Sequence, residues 1–190
     1  MKPLDLLLVS WAVGLTLFTA HVLGGSDAGD APEPVPRNPA FRSIVLHHGA
    51  GHGREAPAPG LPHRLRLVDV TFHFFLGNGR GSPDGEVVTG HRWRDQVPGP
   101  HTGAPEVDRT SIGICLEGDL ETSPPTRRQI GALLSLMDRL CREYAIPPEG
   151  VFAHHEVAPG SSCPGKGLPV EEIRAALARR LKAPPPQGCP

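Results

Sequence analysis

The sequence carries almost no net charge. Its 19 Lys and Arg stand against 20 Asp and Glu over 190 residues, a formal −1, so it lacks the basic footprint that neutralising nucleic-acid phosphates requires. Nucleic acid is excluded as an expected partner. No internal repeat is visible, and the length sits within the roughly 100 to 200 residues usual for one domain, so a single core is expected. Sulfur is scarce: the chain has four cysteines, Cys115, Cys141, Cys163 and Cys189. Cys115 and Cys141 fall on an apolar strand and an apolar helix stripe and read as buried thiols, although export would permit a disulfide. Cys189 has no evident role.

Gly and Pro are plentiful by contrast, 23 of each, but unevenly placed. Pro32, Pro34, Pro36 and Pro39 crowd one stretch, Pro57, Pro59 and Pro62 another, and Pro184 to Pro186 with Pro190 a tail. They punctuate the chain and leave regular structure between them. The N-terminus is apolar from Leu6 to Leu23 and shows no polar face, which makes a buried amphipathic helix a poor description. Its 18 residues lie between a secretory h-region and a bilayer span, so residues 1–24 are expected to be a signal peptide or a signal anchor. Export to a periplasmic or other extracytoplasmic compartment follows, with membrane anchoring through residues 6–23 as the uncleaved alternative. Residues 25–40 then form a Pro-rich linker, 41–182 the working domain and 183–190 a Pro-rich tail.

Within that domain SIVLH (43–47), VDVTFHFFL (68–76) and TSIGICLEG (110–118) are rich in β-branched and aromatic residues and read as strands, with VFAH (151–154) as a short fourth. Asp84-Gly85 marks a hairpin turn. Thr126-Arg-Arg-Gln129 has the form of a capping box. The apolar positions Ile130, Leu133, Leu134, Met137, Cys141 and Tyr144 behind it recur on a 3.6-residue period and predict a helix ended by Pro147-Pro148. Val170, Ile173, Leu177 and Leu181 predict a second.

His47 ends the first strand, His155 follows the fourth, and Cys163 lies eight residues further on in a Pro/Gly-rich loop. Two imidazoles and a thiolate suit zinc, and three protein ligands leave a fourth tetrahedral position open for water, as in catalytic sites. Spacing alone leaves surface histidines and a buried cysteine equally open.

Taken in order, SIVLHHGA, FHFFLGNGRGSPDGEVVTGHRW, PGPHTG, SIGICLEGDL, PTRRQIGALLSLMDRL and AHHEVAPGSSCPG resemble zinc-dependent N-acetylmuramoyl-L-alanine amidases of the peptidoglycan recognition protein and phage lysozyme type. The resemblance covers about residues 41–180. It implies an α/β fold, a central mixed β-sheet flanked by helices in a single domain with a zinc-containing groove. It implies one zinc per chain on His47, His155 and Cys163, peptidoglycan or muropeptides as partner, and hydrolysis of the amide between N-acetylmuramic acid and L-alanine. On this reading His48 and His154 face the opposite side or solvent.

Three further residues become candidates for catalysis. Ser161 stands two residues before Cys163, where the family commonly has Thr or Lys. His101 of PGPHTG matches a histidine near the substrate, and either meets substrate or is a loop residue without a role. Glu117 shares strand parity with Gly113 and Cys115, and acts as a base if that face is the groove, or else is a solvated edge residue. Asp108 reads as a turn residue. Two departures stand out. Phe72 occupies the place of a Tyr whose hydroxyl assists at the developing oxyanion, and the stretch after His47 carries Gly and Pro where the family has a groove-wall helix. An active amidase, a peptidoglycan-binding module without catalysis, and a domain keeping zinc for stability are the three functional expectations.

Overall fold

Alternation along five short strands decides which side chains build the core and which reach the site. The computed structural model describes residues 37–49 and 71–184. The expected signal segment, most of the linker, the stretch with Pro57, Pro59 and Pro62, residues 68–70 of the second expected strand, and Cys189 lie outside the described residues.

The strands are β1 (Ser43–His48), β2 (Phe74–Leu76), β3 (Val87–Thr89), β4 (Ser111–Leu116) and β5 (Val151–Ala153). They form one mixed sheet in the order β3-β2-β4-β1-β5, antiparallel only between β2 and β3. The helices are α1 (His91–Arg94), α2 (Pro105–Asp108), α3 (Arg127–Tyr144), α4 (His154–Val157) and α5 (Val170–Lys182). Among the described residues no helix is long and apolar enough to cross a membrane.

Successive strand residues point to opposite faces. Ile44 and Leu46 of β1, Ile112, Ile114 and Leu116 of β4, Phe74 and Leu76 of β2 and Val151 of β5 form one buried cluster with Leu133, Leu136, Met137, Leu140 and Cys141 of α3 and Ile173 and Leu177 of α5. This face is closed by helices, as the two predicted helical stripes require. The residues between them, His47 of β1, Gly113 and Cys115 of β4 and Phe75 of β2, share the other face through the registers His47↔Cys115 and Phe75↔Cys115. There Phe75 and Cys115 pack with Phe72 in a small separate cluster.

The capping box of α3 forms as expected. The Gln129 N–H donates to Thr126 Oγ1 at 3.0 Å, and the Thr126 N–H donates to Gln129 Oε1 at 3.1 Å. The Gln129 amide then donates to the carbonyls of Leu76 and Glu117 at 3.1 and 3.0 Å, which fixes the helix start to the ends of β2 and β4. The helix ends at Ala145 in the left-handed conformation (φ 54°), two residues before Pro147. Cys115 and Cys141 are buried free thiols, as expected. The second strand is shorter than its sequence pattern, because Thr71 to His73 leave the ladder. His73 is buried and ties that segment to its neighbours, its Nδ1 accepting from the Gly113 N–H at 2.9 Å and its Nε2 donating to the Val97 carbonyl at 3.1 Å. Burial is the main cause holding its imidazole down at about 3, so it stays neutral.

Candidate metal centre

His47 projects from the end of β1 onto the face away from α3 and α5. The neighbouring strand β5 stops at Ala153, and the chain turns directly into α4, whose first residue is His154. The loop after α4 returns to bring Cys163 under the same point. One donor atom from each of His47, His154 and Cys163 lies within 4.8 Å of the others. The His47 Nδ1 is 3.8 Å from the Cys163 sulfur, and the rings of His47 and His154 stand 4.6 Å apart. His47 is fully buried while the other two are half-buried. The cluster is therefore approached from their side.

Cys163 is placed by hydrogen bonds of its own loop. Its N–H donates to Ser161 Oγ at 3.1 Å, and its sulfur accepts the His48 N–H at 3.4 Å. Burial pushes the thiol up to about 11, with that N–H acting in the opposite direction.

A layer of polar groups lies behind the two histidines. His47 Nε2 is 3.0 Å from His101 Nδ1, and His101 Nε2 lies 3.4 Å from the Ser111 carbonyl and 3.3 Å from Ser111 Oγ. His154 Nε2 donates to the Thr102 carbonyl at 3.2 Å. Asp108 Oδ1 accepts from the Thr102 N–H at 2.8 Å and from Thr102 Oγ1 at 2.7 Å. His101 is buried, which holds its imidazole at about 4 despite the nearby Asp108 carboxylate, so it is neutral. Gly113 makes room for it, since a Cβ there would sit 2.7 Å from its Cγ and Cδ2.

The structure corrects the choice within the second histidine pair. His154, not His155, meets His47 and Cys163. Adjacent residues at a helix start are turned by ~100° from one another, and His155 is left exposed, with its N–H and Nδ1 on the Cys163 carbonyl at 2.9 and 3.0 Å. The signal lay in Glu156, whose carboxylate takes the Ala153 N–H at 2.6 Å; an acidic residue three places after Ala153 marks a helix start at 154. Expecting the strand to run on through 154 concealed it.

The three candidates for catalysis fare differently. Ser161 shapes the Cys163 loop through its Oγ. His101 reaches the cluster from behind, with both ring nitrogens engaged, rather than from the open side. Glu117 is taken up by the β2–β3 connection, its Oε2 accepting from the N–H groups of Asn78 and Ser82 at 3.0 and 3.2 Å. It serves that loop. Asp108, expected as a turn residue, instead holds Thr102, which carried no signal of its own in the sequence. His48 turns away, its Nδ1 accepting from the Leu120 N–H at 3.1 Å. Phe72 is fully buried with its ring 4.9 Å from that of His47.

The fold and this cluster can be set beside known proteins. The family model described as N-acetylmuramoyl-L-alanine amidase matches residues 36–166. The chain belongs to that family. It is 26% identical over 174 residues to a peptidoglycan-recognition protein of Drosophila simulans, covering 82% of this chain and 87% of the relative. Among solved structures, the N-acetylmuramoyl-L-alanine amidase LysC of Clostridium intestinale superposes with a TM-score of 0.55 at 24% identity, over 78% of this chain and 93% of that one. The ectodomain complex of peptidoglycan recognition proteins LCa and LCx, solved with tracheal cytotoxin, gives 0.52 at 21%, over 77% and 90%. These structural likenesses establish a shared fold. The family embraces both amidases and peptidoglycan recognition proteins.

Proposed function

We propose that this chain hydrolyses the amide between N-acetylmuramic acid and L-alanine in peptidoglycan, using one zinc ion held by His47, His154 and Cys163. The observation that carries the reading is the convergence of these three donors within 4.8 Å in a member of an amidase family. The donor set fits the metal: two imidazoles and one thiol make a soft N/S site with a position to spare. When bound, zinc supplies Lewis acidity, bringing the pKa of a water down towards ~7 and polarising a carbonyl.

The chain's own residues do the rest. His101 and Thr102 hold the two imidazoles from behind. Ser161 Oγ and the His48 N–H fix the Cys163 backbone and sulfur. Cys163 has to give up its proton to become a ligand, so metal uptake releases a proton. Export would place the domain with a cell-wall polymer, and the apolar segment 6–23 supports it.

A second reading rests on Phe72. It stands beside His47 with no hydroxyl to donate, and losing one oxyanion donor typically costs ~10²- to 10³-fold in rate. On that reading the domain binds peptidoglycan fragments and turns them over poorly or not at all. The test is to incubate the full-length chain, with its zinc content measured, with muropeptides and to assay for new amino termini on L-alanine. Their release supports the amidase. Retained muropeptide binding without release, at one zinc per chain, selects the binding module.

A further inference from the structure

We propose that the segment from His101 to Asp108 fixes the tautomers of both ligand histidines, so that His47 and His154 each carry a proton on Nε2 and present Nδ1 to the metal, with Asp108 as the residue that locks the segment. The inference rests on the metal reading above and deepens it. It follows from counting donors and acceptors, because a carbonyl oxygen can only accept.

For His154 one contact suffices. Its Nε2 lies 3.2 Å from the Thr102 carbonyl, so that nitrogen bears the proton and Nδ1 bears the lone pair. For His47 a relay of three bonds decides. Ser111 Oγ donates to the Val107 carbonyl at 2.7 Å, so it faces His101 Nε2 as an acceptor, as does the Ser111 carbonyl. His101 therefore carries its proton on Nε2 and offers Nδ1 as an acceptor. The His47 Nε2, 3.0 Å away, must then be the donor. That leaves Nδ1 of His47 to face the Cys163 sulfur, where it lies.

Both chains of hydrogen bonds end on one short segment, and Asp108 closes it. Its Oδ1 takes the N–H and the hydroxyl of Thr102, while its backbone ends α2. Asp108 and Thr102 are 8% and 7% exposed, so water does not readily replace these bonds. Groups that orient a metal ligand in this way typically contribute ~10- to 100-fold in metal affinity. His101 and Asp108 are thus positioning residues.

Two measurements test this on the full-length chain. In the zinc-free protein, imidazole nitrogen chemical shifts read by NMR across a pH series should show that the neutral rings of His47, His101 and His154 carry their proton on Nε2. In the second, zinc affinity is measured by chelator competition. His101→Leu, which removes the acceptor, and Asp108→Ala, which opens the segment, should each bind zinc ~10- to 100-fold more weakly, while His101→Gln and Asp108→Asn, which keep an acceptor oxygen, should stay within a few-fold of the wild type. A neutral ring of either His47 or His154 with its proton on Nδ1 overturns the proposal without reference to folding or metal. Equal losses in the Leu and Gln variants also overturn it, as does unchanged affinity in all four. A wild-type chain that takes up no zinc overturns the metal reading itself, whatever the tautomers.

Discussion

Gly113→Ala is a one-carbon change that ought to be felt at the proposed metal site. The added Cβ would stand 2.7 Å from Cγ and Cδ2 of His101 and 3.1 Å from its Nδ1, where ordinary contact begins at 3.4 Å. Something must move by about 0.7 Å, the difference between 3.4 and 2.7 Å. The backbone of β4 is held at this point, since the Gly113 N–H donates to His73 Nδ1 and the His73 N–H donates to the Gly113 carbonyl, both at 2.9 Å. The displacement therefore falls on the His101 ring. Its bond to His47 is 3.0 Å long, and a separation near 3.6 Å is no longer a hydrogen bond. Overpacking of a well-filled site costs about 1 to 3 kcal/mol. Loss of a supporting bond to a metal ligand weakens metal binding ~10- to 100-fold, about 1.4 to 2.7 kcal/mol. Urea unfolding of the zinc-free chain reads the first quantity and chelator competition the second. Zinc affinity equal to wild type, with the stability loss present, would refute the link between Gly113, His101 and His47. No loss of either would refute the packing argument as well.

Four other substitutions discriminate between roles. His154→Ala should abolish one-to-one zinc binding while His155→Ala keeps it, and metal analysis giving the reverse would restore His155 as the ligand. Glu117→Ala removes the acceptor for the Asn78 and Ser82 N–H groups and should cost about 1 to 3 kcal/mol in unfolding experiments, with zinc content unchanged; a loss of muropeptide cleavage without any loss of stability would instead make Glu117 a catalytic residue. Phe72→Tyr should raise any amidase rate by ~10²-fold, and an unchanged rate at full zinc occupancy and unchanged stability would remove the missing hydroxyl as the reason for weak activity.

The fold was legible where one pattern dominates. A period of 3.6 behind Thr126 and Gln129 identifies α3, because that helix answers to a single packed face, and apolar runs rich in β-branched residues identify β1 and β4, which are buried almost throughout. β3, only Val87–Thr89, has too few residues to show a period and exists because the turn at Gly85, with φ 80°, brings it back beside β2. At the site, His47 and Cys163 were visible as residue types in suggestive places. The choice of His154 was not, since it depends on the chain changing from strand to helix between Ala153 and His154, which rotates two neighbouring histidines apart. His101, Thr102 and Asp108 lie about fifty residues from both proposed ligand histidines in sequence. Only the sheet order, with β4 beside β1, brings the segment that precedes β4 under them.

The fold sets two thiols near His47, one on the sheet and one on the loop after α4, and the difference between them bears on which would serve the proposed metal site. Cys115 is the β4 register partner of His47 and shares its face. It is fully buried, and the polar contact of its sulfur is a weak one to the Leu116 carbonyl at 3.8 Å, an acceptor that favours the protonated thiol. Burial raises its pKa well above the ordinary range, and the nearby Cys163 and Glu117 raise it further. Cys163 is half-buried and its sulfur receives the His48 N–H. A backbone N–H aimed at sulfur stabilises the thiolate, which is the form that binds metal. Forming the anion is therefore easier at Cys163 on both counts, hydration and hydrogen bonding. Once one thiolate stands beside His47, a second at Cys115 is opposed by its charge as well as by burial. With one sulfur donor and two nitrogens, the proposed site would leave a coordination position open.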